Sequence, residues 1–149
     1  HFIKLCLSIY IFLNVNYFVI GIQEQANTKE LFEIASANKV SFVTNFECEK
    51  FSEVLQKQLH QFINKVDYLY ITIDLDGFSS AYAPGVSATS SLGFSPFFMF
   101  SVLSFLLKSK KVISVDIAEL NPKFDIDHST SKLAAKLIDF IVLNHKKTF

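Results

Sequence analysis

The segment Tyr68-Leu-Tyr-Ile-Thr-Ile-Asp74 constrains the fold more than any other part of the chain. It is nearly all apolar, β-branched and aromatic, as expected for a parallel strand buried on both faces. The segments around it alternate in kind. Val15 to Ile22 is strand-like and ends at Gly21, and a helix is predicted over 29–37 behind the capping pair Asn27-Thr28. A short strand follows over 40–44. Residues 48–66 then carry Phe51, Val54, Leu55, Leu59, Phe62 and Ile63 at helical spacing. Beyond the central strand lies a Gly/Ser/Pro/Ala-rich loop, 77–95. Ser95-Pro96 opens a helix that is apolar almost all round to Leu107, which predicts a buried helix. Lys108, Lys110 and Lys111 sit where a helix C-terminus favours cations. A buried strand over 112–117, a loop over 118–127 and a last helix to Asn144, capped by Asp127 or Ser129, complete the order. Strands alternating with helices predict an α/β fold with a mainly parallel sheet between two helical layers. Ligands of such sheets sit outside the carboxyl ends of the strands, which directs attention to residues 72–85 and 116–125.

The length, 149 residues with half of them apolar, suits a single domain spanning 1–149. Fourteen basic residues balance fourteen acidic ones, so no electrostatic footprint for nucleic acid is present. Cys6 and Cys48 have no metal-like spacing, which excludes a cysteine zinc site and a disulfide framework. Every basic residue is Lys; the chain has no Arg. Leu5 to Leu13, behind Lys4, imitates a secretory signal, but Asn14 and Asn16 break the run and no small-residue cleavage site follows. The run is also shorter than the roughly 18 apolar residues a spanning helix needs, so no membrane association is expected. Residues 1–14 are left unassigned, either part of that domain or outside its fold. The first residue is His rather than Met, which reads as a fragment or a processed product.

The chemistry gathers at the end of the central strand, in Thr72-Ile-Asp74-Leu-Asp76. Side chains at i and i+2 of a strand point the same way, so both carboxylates are expected on one spot. Two close anions raise each other's pKa, and a divalent cation with a preference for oxygen ligands removes that conflict. The alternative is that they are solvated or cap the following turn. Ala83-Pro84-Gly85 pairs a rigid φ with a permissive one and can bring backbone close to a ligand. Glu119, just beyond the strand 112–117, either faces the same crevice or is an ordinary exposed acid. His128, in Asp125-Ile-Asp-His128, imitates a metal cluster, but capping of the last helix is the favoured reading.

Taken together, Thr72-Ile-Asp74-Leu-Asp76, Pro84-Gly85 and Asp116-Ile-Ala-Glu119-Leu-Asn121-Pro122 resemble the ureohydrolase family, which holds arginase, agmatinase and formimidoylglutamase. Ala83-Pro-Gly-Val-Ser-Ala88 is most similar to the formimidoylglutamase branch, as are Gly21-Ile-Gln-Glu24 and the segment Asp125-Ile-Asp127 through Leu133-Ala-Ala135. The resemblance covers residues 15 to 145. It implies an arginase-like three-layer fold and a binuclear Mn²⁺ hydrolase of linear amidines or guanidines. It also implies a cytoplasmic, homo-oligomeric enzyme of histidine catabolism, converting N-formimidoyl-L-glutamate and water to L-glutamate and formamide. Agmatinase or guanidinobutyrase activity is the alternative within the family, and a non-catalytic α/β piece acting only in assembly is the alternative outside it. By the same resemblance Asp74 and Asp76 are metal ligands, and Glu119 holds the substrate's cationic amidine nitrogens. A planar amidinium suits a carboxylate partner because it offers a charged, fork-like pair of donors.

The resemblance also requires G-G-x-H and D-x-H-x-D segments, and the sequence contains neither. The fold is therefore expected to be incomplete, the C-terminal half of a ureohydrolase, and no catalytic residue is assigned. Two carboxylates cannot complete the coordination of two Mn²⁺ ions, so the chain alone is expected to be inactive. Ser79 and Ser80 stand where arginases carry Asp-Pro, which argues against arginase specificity.

Overall fold

In the computed structural model, residues 15–145 are described; the signal-like stretch 5–13, Cys6 and His1 lie outside them. The described residues form two compact units that divide after Cys48.

The first unit is built on β1 (Phe18–Ile22), α1 (Lys29–Ala37) and β2 (Ser41–Thr44), closed by a 3-10 turn over Asn45–Cys48. β1 and β2 pair in parallel from Phe18↔Ser41, so β1 begins three residues later than the apolar run does. Gly21 adopts φ 85°, and the register shifts between Ile20 and Ile22, a bulge only glycine makes without strain. Thr28 stands at the N-cap of α1 without a side-chain bond, while the Asn27 amide donates to Gln23 O. Ala35 and Val40 form one buried cluster here, with Tyr17, Val19 and Ile34 packed against them, and Ile22, Val43 and Cys48 are buried as well.

The second unit contains α2 (Glu53–Ile63), β3 (Leu69–Asp74), α3 (Pro96–Lys108), β4 (Val112–Ala118) and α4 (Ser129–Asn144). α2 is shorter than the spacing predicted. Ser52 Oγ accepts from Leu55 N and fixes the start, and Cys48 belongs to the preceding turn. Lys111, expected to serve the end of α3, instead donates from Nζ to Ile63 O at the end of α2 and to Val66 O just beyond it. In α3, Ser95 Oγ accepts from Phe98 N. One face of this helix is buried, through Phe98, Met99, Val102, Leu103, Leu106 and Leu107, whereas Phe97 is 78% exposed. The prediction of an all-round buried helix is corrected accordingly.

β3 and β4 run parallel, with Thr72↔Asp116 and Asp74↔Ala118 in register. Leu69 and Ile73 are buried on one face of β3; Tyr70, on the other, is 64% exposed, as is Ile113 in β4. These strands are therefore not buried on both faces as the sequence suggested. The loop after β3 is packed rather than loose. Phe78 and Phe94 are buried edge to face at 4.7 Å, and Phe94 leans on Phe98 of α3. Gly93 permits this, since a β-carbon there would lie 2.3 Å from Phe78 C. Among the described residues no helix is long and apolar enough to cross a membrane.

Candidate metal centre

Asp74 is the last residue of β3, and Asp76 lies in the single 3-10 turn Leu75–Gly77 that follows. The two carboxylates converge because the chain turns, not because both lie on a strand. Leu75 between them is fully buried and anchors the turn. Glu119 follows the last residue of β4, with φ 69°. One carboxylate oxygen from each of Asp74, Asp76 and Glu119 falls within 4.8 Å of the others. The structure thus brings together all three acids named from the sequence.

The register of the β3–β4 ladder sets this convergence. Asp116 does not join the cluster: it accepts from Thr72 Oγ1 at 2.7 Å and from the Tyr70 hydroxyl across the strand pair. That contact aligns β4 so that Ala118 faces Asp74 and Glu119 emerges beside it. A cross-strand acceptor of this kind has no local sequence signature, and the sequence reading singled out neither Tyr70 nor Asp116 for it.

The electrostatics are those of half-buried carboxylates that repel one another. Burial, then the charges of Asp76 and Glu119, push the Asp74 carboxyl up to about 7. Burial and Glu119 also raise Asp76. Asp74 stands at the N-cap of the 3-10 turn but makes no side-chain cap bond, and its Oδ1 is buried with no hydrogen-bond partner. Turn capping therefore does not explain Asp74. A buried, partnerless carboxylate oxygen beside two further carboxylates fits a divalent cation with oxygen ligands. Three monodentate acids leave such an ion short of six ligands.

The described histidines stay apart from this cluster. His60 Nδ1 meets the Asn64 amide at 3.2 Å, and His145 Nε2 meets Val112 O at 2.7 Å. His128 occupies the N-cap position of α4 in a left-handed conformation with no side-chain cap bond. The cap comes from Asp125 instead, which accepts from Thr130 N and from Ser131 N and Oγ. The expectation of Asp127 or Ser129 as cap is corrected; Asp127 and His128, both at positive φ, carry the chain from Asp125 into the helix. Two open grooves of about 610 and 360 Å³, against α3 and β4, include none of the three acids.

Fold and site together define an α/β protein with a cluster of three carboxylates at the carboxyl ends of two parallel strands. The model of the arginase family matches residues 3–143. The chain belongs to the arginase family. It is 38% identical over 138 residues to a formimidoylglutamase of Clostridium tetani, covering 87% of this chain and 39% of that protein. Among solved structures it is similar to a formimidoylglutamase from Bacillus subtilis, with TM-score 0.80 and 21% identity over 89% of this chain and 42% of that one. It is also similar to an agmatine ureohydrolase of Thermoplasma volcanium, with TM-score 0.73 and 30% identity over 87% and 42%. The chain thus spans about two fifths of the length of these relatives, with the fold expected from the sequence.

Proposed function

We propose that this chain carries the acidic part of a binuclear Mn²⁺ site in a formimidoylglutamase, as one arginase-family domain over residues 1–149. The observation that carries the reading is the meeting of three carboxylates within 4.8 Å, one of which, Asp74, has a buried Oδ1 with no hydrogen-bond partner. Asp74 and Asp76, half-buried, hold the cations. Mn²⁺ supplies there an activated water and charge stabilisation for hydrolysis of a C–N bond. Glu119 is exposed and so accessible to a substrate. Its carboxylate accepts from the amidinium nitrogens and holds the amidine carbon over the aspartates. The substrate on this reading is N-formimidoyl-L-glutamate and the products are L-glutamate and formamide, in histidine catabolism. With no Arg in the chain, its carboxylates are gripped by lysines or by residues beyond the matched share of the relatives.

Two aspartates do not fill the coordination of two Mn²⁺ ions, so the chain alone is expected to bind Mn²⁺ weakly and to release no formamide. Titration of Mn²⁺ into the chain, followed by the paramagnetic resonance of the free ion, tests the site. Asp74→Asn and Asp76→Asn should each abolish retention, and Mn²⁺ binding unaffected by both would overturn the assignment. An agmatinase is the second reading, favoured by the 30% identity to the agmatine ureohydrolase. Urea from agmatine against formamide from N-formimidoyl-L-glutamate, assayed in a longer relative carrying the 83–88 loop, separates the two. Homo-oligomeric assembly and a cytoplasmic setting belong to the same proposal, to be checked by sedimentation and by cell fractionation.

A further inference from the structure

Glu119 is the least supported of the three acids: it is exposed, and its backbone sits in the left-handed region, where a residue with a side chain stays only if its surroundings hold it. Those surroundings are a chain of contacts between two loops distant in sequence. Asn121 N donates to Gly85 O at 2.8 Å, and the Asn121 amide donates to Ser87 Oγ at 2.9 Å. Gly85 N in turn donates to Thr130 Oγ1 at 2.7 Å, and Thr130 is fully buried. Thr130 is itself held by its own N–H, which donates to Asp125 Oδ1. Asp125 lies against Gly85 so closely that a β-carbon on the glycine would meet Asp125 Cβ at 2.6 Å. The Pro84-Gly85 step thus lies between the two ends of the segment 119–130, tied to Asn121 on one side and to Thr130 on the other.

We infer that Thr130, fixed by Asp125, is a positioning residue: through Gly85 and Asn121 it locks the loop after β4 and so sets the Glu119 carboxylate against Asp74 and Asp76. This rests on the metal reading above, in which the two aspartates ligate and the Glu119 charge, within 4.8 Å of both, strengthens their hold on the cation. Neither Thr130 nor Asp125 touches the acid cluster, so the effect travels through the two backbone groups of Gly85. Supporting hydrogen bonds outside a metal's own ligands commonly change metal affinity by about 10–100-fold.

The test compares Thr130→Val, which keeps shape and removes the hydroxyl, with Thr130→Ser, which keeps the hydroxyl. Two readouts are taken on the 149-residue chain: exchange of the Asn121 amide, and Mn²⁺ affinity by the resonance of the free ion. Thr130→Val should speed Asn121 exchange and weaken Mn²⁺ binding about tenfold, while Thr130→Ser stays within about twofold of the parent chain in both. Unchanged Asn121 exchange in Thr130→Val overturns the inference, as does unchanged Mn²⁺ affinity while Asp74→Asn abolishes it. Equal losses in the serine and valine variants also overturn it, because the hydroxyl is then not the operative group. A parent chain that retains no Mn²⁺ overturns the metal reading instead, and Asn121 exchange still decides whether Thr130 holds the loop.

Discussion

A β-carbon at Gly85 would lie 2.6 Å from Asp125 Cβ and 2.7 Å from Asp125 Cα, so at least one neighbour is backbone that cannot swing aside. Gly85→Ala is therefore expected to destabilise the chain by about 1–3 kcal/mol, the usual cost of overpacking, read as a lower urea midpoint at constant slope. Lys39 offers the opposite case. It holds φ 54° after the end of α1, a conformation that costs a side-chain-bearing residue about 1 kcal/mol and glycine almost nothing. Lys39→Gly should raise stability by up to about 1 kcal/mol, and a lower urea midpoint would show that the lysine side chain contributes more than its backbone costs. Cys48 is a third residue whose behaviour follows from its setting. Burial, then the charge of Glu47, push its thiol up to about 12, and Sγ donates to Thr44 O. The folded chain should leave Cys48 unalkylated at pH 8 until denaturant is added, as mass spectrometry of the modified peptide would report.

Element ends show what side-chain chemistry adds to apolar periodicity. The spacing of Phe51, Val54 and Leu55 is helical, so periodicity alone extends α2 back through Cys48; the Ser52 cap cuts it short. Ser52→Ala should cost about 1 kcal/mol, measurable in the same urea series, and no change would mean that solvent serves Leu55 N equally well. Much else at this scale was legible. Thr28 and Ser95-Pro96 marked the starts of α1 and α3, and β3 was legible from its β-branched and aromatic run. Asp74 and Asp76 could be read as a pair because a strand end followed by one turn keeps residues two apart together. Three things were not legible, each for a physical reason. Asp125 caps α4 from several residues upstream, across two left-handed residues that no local pattern marks. Lys111 serves the C-terminal end of a helix far back in the chain. Exposure of Tyr70 and Ile113 depends on what packs over each face of the strand pair, and side-chain composition within a strand does not report that.

For the whole chain, opposing carboxyl shifts set how stability responds to pH, with Asp76 raised in the same direction as Asp74. Asp74 titrates at about 7 when folded, against 3.8 for an unperturbed aspartate. Between those values the native state holds a proton that the unfolded chain has released, so stability falls as pH rises across that window. Asp125 acts in the other direction. Burial alone would raise it, but hydrogen bonds from Ser131 and Thr130 outweigh burial and hold its carboxyl well below the usual range. Its contribution is present above 3.8 and is lost as pH falls through its lowered pKa. Without metal the chain should therefore be most stable near pH 4–5 and melt about 5 °C lower at pH 8. A cation changes this asymmetrically, because it competes with the proton on Asp74: at pH 5 the proton already relieves the repulsion, and at pH 8 nothing does. Added Mn²⁺ should raise the melting temperature at pH 8 and leave it nearly unchanged at pH 5. Asp74→Asn removes the charge that burial and its neighbours oppose, so it should flatten the decline between pH 4 and 7 and abolish the Mn²⁺ effect together. Calorimetric melts of both chains at the two pH values, with and without Mn²⁺, decide the matter; a parent chain whose melting temperature is flat from pH 4 to 7 would show that the three acids do not repel one another as placed.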